Sequence, residues 1–122
     1  MLPLHIALGG TASSPTAATV VLAPMVRLGT LPLRLLALER GASLVYTEEI
    51  IDAKLSETEK SVDARLGTTD WCGAGGQCIL RTCEREAGRL VVQLGTSGDT
   101  GTLLAAAKKL LGDELGLSLI HI

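Results

Sequence analysis

Residues 20–41 have the sequence VVLAPMVRLGTLPLRLLALERG, in which a β-branched run leads through a short loop into an amphipathic segment. The run predicts a strand that ends at Pro24. Thr30 can cap a helix with Pro32 in its first turn, where a missing amide costs least, and Gly41 is typical of the position after a last turn. Leucines three and four positions apart give this helix one apolar face. The stretch therefore predicts a strand–loop–helix unit of a parallel α/β protein.

A second unit follows directly. Residues 43–47 predict a strand that leads into two glutamates, and the charged segment 52–65 predicts one or two short surface helices. Residues 68–77 include a Gly-Ala-Gly-Gly run that indicates a loop, in which Trp71 is interpreted as a packing anchor.

The third unit contains an insertion. Residues 78–82 and 89–94 predict strands around the polar turn 84–88, which indicates a hairpin before the third strand of the series. A helix follows after residue 101, and its predicted buried side carries Leu103, Leu104, Ala107, Leu110 and Leu111. The predicted order is therefore β-α-β-α-β-α with an inserted hairpin.

Four segments resemble the tRNA-dihydrouridine synthases, flavoenzymes that reduce uridines in tRNA. They are residues 20–41, LVYTEE at 44–49, RTCERE at 81–86 and VVQLGT at 91–96. The likeness covers about residues 20–112 and is nearest to the eukaryotic branch that modifies the D-loop. It implies the N-terminal portion, about three β/α units, of a TIM (β/α)8 barrel. Since such barrels need roughly 250 residues and this chain has 122, the barrel is expected to be incomplete.

The resemblance also implies a cofactor, FMN, with NADPH as the reductant. Active sites of this fold lie in the loops at the C-terminal ends of the strands. The resemblance implies that Pro24, Met25 and Val26 line the flavin, and that Glu49 and Gln93 add polar contacts. A glutamine amide suits a flavin edge because it carries both a donor and an acceptor. The residues alone leave structural alternatives open. Pro24 could simply end a strand, Met25 could fill the core, and Gln93 could bond backbone groups at a strand end.

Other charged residues near this site have simpler interpretations. Glu48 and Glu49 are adjacent, and neighbouring residues on a strand face opposite sides, so at most one of them enters the site. Arg27 and Arg34 could contact phosphate. An arginine on a helix usually extends its charged end to solvent, however, so both guanidinium groups are predicted to be solvated.

The glycine-rich loop at residues 95–101 has the spacing G-x-x-G-x-x-G, which differs from that of dinucleotide loops, and no Gly-Lys-Ser/Thr follows. It is therefore predicted to be a plain connection from strand to helix, with Ser97 or Asp99 as the N-cap.

The three cysteines, Cys72, Cys78 and Cys83, are spaced C-x5-C-x4-C, without the pairing of a structural zinc site and with no histidine nearby. No metal site is predicted, and three free thiols suit a reducing, cytoplasmic location. In the family, the general acid is the cysteine of an Asn-x-Gly-Cys-Pro motif after a later strand. None of these cysteines lies in such a motif, so the catalytic residue is expected beyond the fragment.

The expected organisation has three parts: a flexible leader at 1–19, a partial FMN-binding barrel domain at 20–116, and residues 117–122. The last hexapeptide, LSLIHI, matches the translation of a sequencing-library adapter and is set aside as an artefact. A net charge of −2 gives no basic footprint for a phosphate backbone, so tRNA contacts are expected mostly from regions outside this sequence. No apolar run approaches a membrane span. The fragment alone is expected to be inactive.

Two alternatives remain open from the sequence. The first is a short, non-catalytic α/β interaction protein that buries its open sheet edge against a partner, because exposed strand edges invite pairing. An isolated fragment would likewise aggregate or depend on a partner. The second is a free-standing flavin binder, which requires a phosphate site that the sequence does not identify.

Overall fold

A computed structural model describes residues 4–8, 19–96, 98–111 and 117–121. Within these ranges the α-helices are α1 (Leu31–Glu39), α2 (Asp52–Ser56) and α3 (Thr100–Leu111), and a 3-10 turn covers Glu84–Glu86. The strands are β1 (Leu4–Leu8), β2 (Val21–Leu22), β3 (Leu44–Ile51), β4 (Glu59–Asp63), β5 (Thr68–Cys72), β6 (Cys78–Cys83), β7 (Leu90–Gly95) and β8 (Leu117–His121).

The larger sheet has the strand order β2-β3-β7-β1-β8. Strands β2, β3 and β7 are parallel neighbours in chain order, whereas β1 pairs antiparallel with β7 and with β8. The prediction of a mixed α/β protein with consecutive parallel strands is thus confirmed. Strand β1 falls in the predicted leader and β8 in the hexapeptide set aside above. The edge of β7 that faces away from β3 is therefore paired with β1, and β2 lies at one end of the sheet.

The smaller sheet is an antiparallel meander, β4-β5-β6, and it corrects two predictions. Surface helices over 52–65 are wrong beyond α2, because residues 59–63 form β4. The loop that the glycine run at 73–76 indicates is confirmed, and residues 68–72 before it form β5, a strand that the sequence did not predict. The strand at 78–82 pairs with β5 and not with the strand at 89–94, which joins the larger sheet. Pairing depends on contacts between strands, and local residue preferences specify such contacts only weakly. This is why the sequence did not predict the smaller sheet.

The hydrophobic core lies between one face of β3 and β7, the helices, and the smaller sheet. Its buried members are Ala42, Val45, Ile50, Leu55, Trp71, Leu80, Leu90, Val92, Leu94, Ala106, Ala107 and Leu110. Trp71 is the packing anchor that the sequence predicts: its side chain is buried, and its indole Nε1–H donates to the carbonyl of Lys109 at 3.1 Å. Leu104 was predicted on the buried side of α3, and this is wrong, since it is 54% exposed and Ala106 packs inward instead.

The helix boundaries lie at the predicted residues. Thr30 is at the N-cap position of α1, but its side chain makes no capping hydrogen bond. Gly41 follows α1 with a φ of +102°, a left-handed conformation that glycine adopts without strain. Asp99 caps α3, since its carboxylate accepts hydrogen bonds from Thr102 Oγ1 (2.6 Å) and the backbone N–H of Gly101 (3.2 Å). These bonds lower the pKa of Asp99, and the bond from Thr102 has the larger effect. The other proposed cap, Ser97, lies outside the described residues. None of the described helices is both long and apolar enough to cross a membrane.

Candidate functional site

The ends of β3 and β7 bring two of the predicted site residues together. Glu49 and Gln93 are direct partners in the parallel ladder, so their side chains project from the same face of the sheet. On β7 the flanking residues Val92 and Leu94 belong to the hydrophobic core, as does Ile50 on β3. Because successive side chains alternate between faces, Glu49 and Gln93 lie on the face turned away from that core.

A β-bulge in β3 decides which of the two adjacent glutamates takes this position. The ladder shifts between Tyr46 and Glu49, so that Thr47 and Glu48 together oppose a single residue of β7. The Thr47 hydroxyl oxygen accepts the backbone N–H of Gln93 at 3.1 Å. In a regular strand Glu48 would stand beside Gln93. The bulge puts Glu49 there instead.

Gly95 makes room for the Glu49 side chain. A Cβ built on Gly95 would overlap the Glu49 carboxylate, with the carboxyl carbon at 2.8 Å. The carboxylate of Glu49 therefore lies over the backbone of β7, beside Gln93. Glu49 is exposed and Gln93 is half-buried, so a ligand can reach both.

The displaced Glu48 holds the loop between β2 and α1. Its Oε2 accepts the backbone N–H of Arg27 at 3.0 Å, and Arg27 has a φ of +64°, unusual for a residue with a side chain. Gly29 crosses the bulge so closely that a Cβ there would lie 2.5 Å from the backbone nitrogen of Glu48. The bulge thus fixes the course of this loop.

The loop itself carries the other three predicted site residues. Pro24 and Val26 are exposed, Val26 to 79%, and Met25 is half-buried. The carbonyl of Met25 accepts the backbone N–H groups of Leu28 and Gly29, both at 3.3 Å. The loop is a compact turn that presents apolar groups to solvent beyond the C-terminal end of β2.

Arg34 was predicted to be solvated, and this is wrong. Its guanidinium is buried and forms an ion pair with Glu86, at 2.6 Å from Nε and 3.1 Å from an Nη atom. The Nη atoms also donate to the carbonyls of Gly29 (2.6 Å) and Arg81 (2.7 Å). Arg34 therefore ties α1, the β2–α1 loop and the RTCERE segment together. Arg27 is exposed, as predicted.

A second ion pair lies on the smaller sheet. Asp70 accepts two hydrogen bonds from the guanidinium of Arg81, at 2.8 and 2.9 Å, and one from the hydroxyl of Thr68 at 2.9 Å. The bond to Arg81 is the largest of the effects that lower the pKa of Asp70. This pair joins β5 to β6.

Two cavities open between these elements. One of about 240 Å³ separates the start of α1 from β6, and it is lined by residues that include Arg34, Thr47, Glu48 and Leu80. The other, of about 220 Å³, is lined by Glu48, Glu49, Ile50, Ile51, Lys54, Cys78 and Ile79. Glu49 is the one predicted site residue that lines either of these two cavities within the described ranges.

No family model matches the chain, but several curated proteins are similar to it, among them two yeast enzymes. The tRNA-dihydrouridine(20) synthase [NAD(P)+] of Schizosaccharomyces pombe is 44% identical over 104 residues, which is 82% of this chain and 22% of that protein. The protein of the same name from Saccharomyces cerevisiae is 36% identical over 110 residues, 84% of this chain and 28% of that protein. The chain thus spans about a quarter of the length of these relatives. The matches confirm the resemblance predicted from the four segments.

Proposed function

We propose that this chain is part of an enzyme of the tRNA-dihydrouridine synthase family, to two members of which it is 44% and 36% identical, and that this enzyme reduces uridine to 5,6-dihydrouridine in the D-loop of tRNA. The part in question is the first three β/α units of a (β/α)8 barrel. The parallel order of β2, β3 and β7 supports this proposal, because strands of such a barrel are neighbours in chain order.

The pairing of Glu49 with Gln93 is the observation that carries the proposal. In a (β/α)8 barrel the helices cover the outside, and the active site lies at the C-terminal ends of the strands. Glu49 and Gln93 occupy that end on the face opposite the helix-packed core. This is the placement that a polar contact to a cofactor inside the barrel requires.

The residues of the site fit one edge and one face of a flavin. We assign Gln93 to the polar edge of the ring, because its amide can donate and accept, and Glu49 to a neighbouring donor, because a carboxylate only accepts. The loop of Pro24, Met25 and Val26 offers apolar groups to the ring. If FMN is held by these residues, it would, once reduced by NADPH, supply the hydride for uridine. The role of these residues is to bind and orient that ring.

Other steps are assigned to other parts of the enzyme. The net charge of −2 favours tRNA contacts elsewhere, since phosphate binding draws on clustered Lys and Arg. We assign the general acid to a cysteine outside this sequence. A polypeptide of these 122 residues alone is accordingly proposed to be inactive.

A chimaera tests this function directly. The segment of the S. pombe enzyme that matches this chain is replaced by the matched residues of this chain, and the chimaera is produced in cells that lack that enzyme. Dihydrouridine in purified tRNA is then measured by mass spectrometry. We expect the modification to be restored. A soluble chimaera that leaves the tRNA unmodified, while the parent enzyme restores it, would contradict the proposal.

A further inference from the structure

Two cysteines face each other across the β5–β6 hairpin. Cys72 and Cys78 are direct partners in the antiparallel register, next to an irregularity in the ladder. The backbone N–H of Gly73 donates to the carbonyl of Gln77 at 2.8 Å, so the cysteines occupy the adjacent, non-hydrogen-bonded position. Residues in such pairs have Cα atoms about 4.5 Å apart, within the range that a disulfide spans.

The side chains of this pair are already close together. The two Sγ atoms and a carboxylate oxygen of Asp70 all lie within 4.8 Å of one another. Cys78 is exposed and Cys72 half-buried, so small reagents can reach them. Cys83 stands at the other end of β6, opposite Thr68, outside this group. Two of the three thiols are therefore placed to react with each other.

A metal ion is the competing occupant of this position, and the surroundings oppose it. Both oxygens of Asp70 accept hydrogen bonds from the Arg81 guanidinium, and one also accepts from Thr68. A cation bound here would lie beside the positive charge of Arg81. A closed zinc site also needs four ligands, and the group contains three among the described residues. The geometry favours a covalent bond between the two sulfurs.

We propose that Cys72 and Cys78 form a reversible disulfide, and that this dithiol is a site of oxidation by low-molecular-weight disulfides of the glutathione class. In the first step one cysteine thiolate attacks a sulfur of the small disulfide, which breaks its S–S bond and releases one thiol. In the second step the other cysteine attacks the mixed disulfide and releases the second thiol. Two protein thiols are oxidised, and one small disulfide is reduced to two thiols.

The two cysteines have different parts in this sequence. Although Cys78 as a whole is exposed, partial desolvation of its sulfur and then a hydrogen bond with Cys72 raise the pKa of Cys78 to about 11. A thiol that holds its proton is a poor nucleophile. We therefore assign the first attack to Cys72 and the ring-closing step, where the partner sulfur is held close by, to Cys78.

The bond would form in the wall of the cavities described above. Cys78 and Ile79 line both of them, together with Glu48. Oxidation therefore alters a surface next to Glu49. The formation of the bond depends only on the β5–β6 hairpin, and it does not rest on the proposed function.

Mass spectrometry of the 122-residue chain tests the proposal. Trypsin releases Cys72 and Cys78 together in fragment 66–81 and Cys83 separately in fragment 82–85, because cleavage follows Arg65, Arg81 and Arg85. After incubation with oxidised glutathione and blocking of free thiols, we expect fragment 66–81 to have lost two hydrogen atoms and to carry no glutathione. Dithiothreitol should restore both thiols.

Variants separate this outcome from general thiol reactivity. Cys78→Ser should leave Cys72 as the one thiol of fragment 66–81, and this thiol should accumulate a glutathione adduct. Cys72→Ser should form the adduct more slowly, because the thiol of Cys78 holds its proton. Cys83→Ser should still form the bond. A fragment 66–81 that carries two glutathiones, or a disulfide between Cys83 and either cysteine, would overturn the proposal. So would one equivalent of bound zinc that is lost in Cys72→Ser, which would make the group a metal site.

Discussion

Two ion pairs of this protein join an arginine to a carboxylate in different surroundings. In the pair that links α1 to the 3-10 turn before β7, Arg34 and Glu86 have side chains that are 3% and 1% exposed. In the pair on the smaller sheet, Arg81 is 40% exposed and Asp70 is 8% exposed. Both pairs have good hydrogen-bond geometry, so the difference between them is chiefly one of solvent.

Burial changes what such a pair does. Removing one partner of a buried pair leaves an uncompensated charge in the interior, which costs far more than the loss of a pair that water can solvate. Arg34 also holds the carbonyls of Gly29 and Arg81, so its position determines that of the β2–α1 loop. The buried pair is therefore a support of the candidate site, and the half-exposed pair of Arg81 and Asp70 is a local link between two strands.

The largest effect is expected from Glu86→Ala. It leaves the Arg34 guanidinium buried without its counter-ion, and should lower the free energy of unfolding by about 3–5 kcal/mol. Urea unfolding followed by circular dichroism measures the change. Glu84→Ala is the matched control, because Glu84 is exposed in the same 3-10 turn. Equal stability of the two variants would show that burial of the pair does not matter.

A smaller effect is expected from Gly29→Ala, which tests the contact between the loop and the bulge. The new Cβ would lie 2.5 Å from the Glu48 nitrogen, and backbone cannot move aside cheaply. Overpacking of this kind costs about 1–3 kcal/mol. Gly75→Ala is the control, since a Cβ there meets nothing within 4 Å. In the same assay Gly75→Ala should leave the free energy of unfolding unchanged. If Gly29→Ala also left it unchanged, the claim that the bulge supports the loop would be wrong.

Asp70→Asn should cost less than Gly29→Ala, and its effect should depend on pH. The folded protein holds Asp70 at a lowered pKa, so the unfolded chain binds the proton more tightly. The stabilisation is complete above the ordinary carboxyl pKa of 3.8 and is lost as the pH falls through the lower, folded value. The stability gap between wild type and Asp70→Asn should therefore be constant above about pH 5 and narrow as the pH falls below that value. A gap that did not narrow there would contradict this account.

The smallest effect is expected for the third ion pair, between Arg85 and Glu39. Their side chains are 61% and 58% exposed, and pairs of this kind contribute little. Glu39→Gln should leave the urea midpoint within error of the wild type. If Glu39→Gln lost as much stability as Asp70→Asn, solvent exposure would not determine the order of the three ion pairs in their contribution to stability.

The sequence predicts the parallel part of the fold better than the smaller sheet, for a physical reason. Helix α1 and strand β7 have apolar patterns and end residues that are local. Strand β4 is almost wholly exposed, with the sequence EKSVD, so no apolar alternation marks it. It is a strand because β5 pairs with it, and β5 is held by Trp71 against α3. These contacts lie far apart in sequence.

The candidate site shows the same division. Family resemblance proposes Glu49 and Gln93 as site residues, but alternation alone cannot choose between Glu48 and Glu49, because the bulge breaks the alternation. Arg34 was missed as a support of the loop, since its partner Glu86 is 52 residues away. The sequence marks the RTCERE segment as family-like. Its role in binding Arg34, through Glu86 and the carbonyl of Arg81, is visible only in the folded structure.

Flavin retention by the chimaera tests the central assignment most directly. The Gln93→Leu variant removes the amide next to Glu49, and Gln77→Leu removes an exposed amide from the β5–β6 connection as a control. The visible absorbance of bound FMN per protein is measured after purification. We predict normal flavin in the chimaera and in Gln77→Leu, and a marked loss in Gln93→Leu with unchanged folding. Full flavin content in Gln93→Leu would contradict the placement of the cofactor at this end of the sheet.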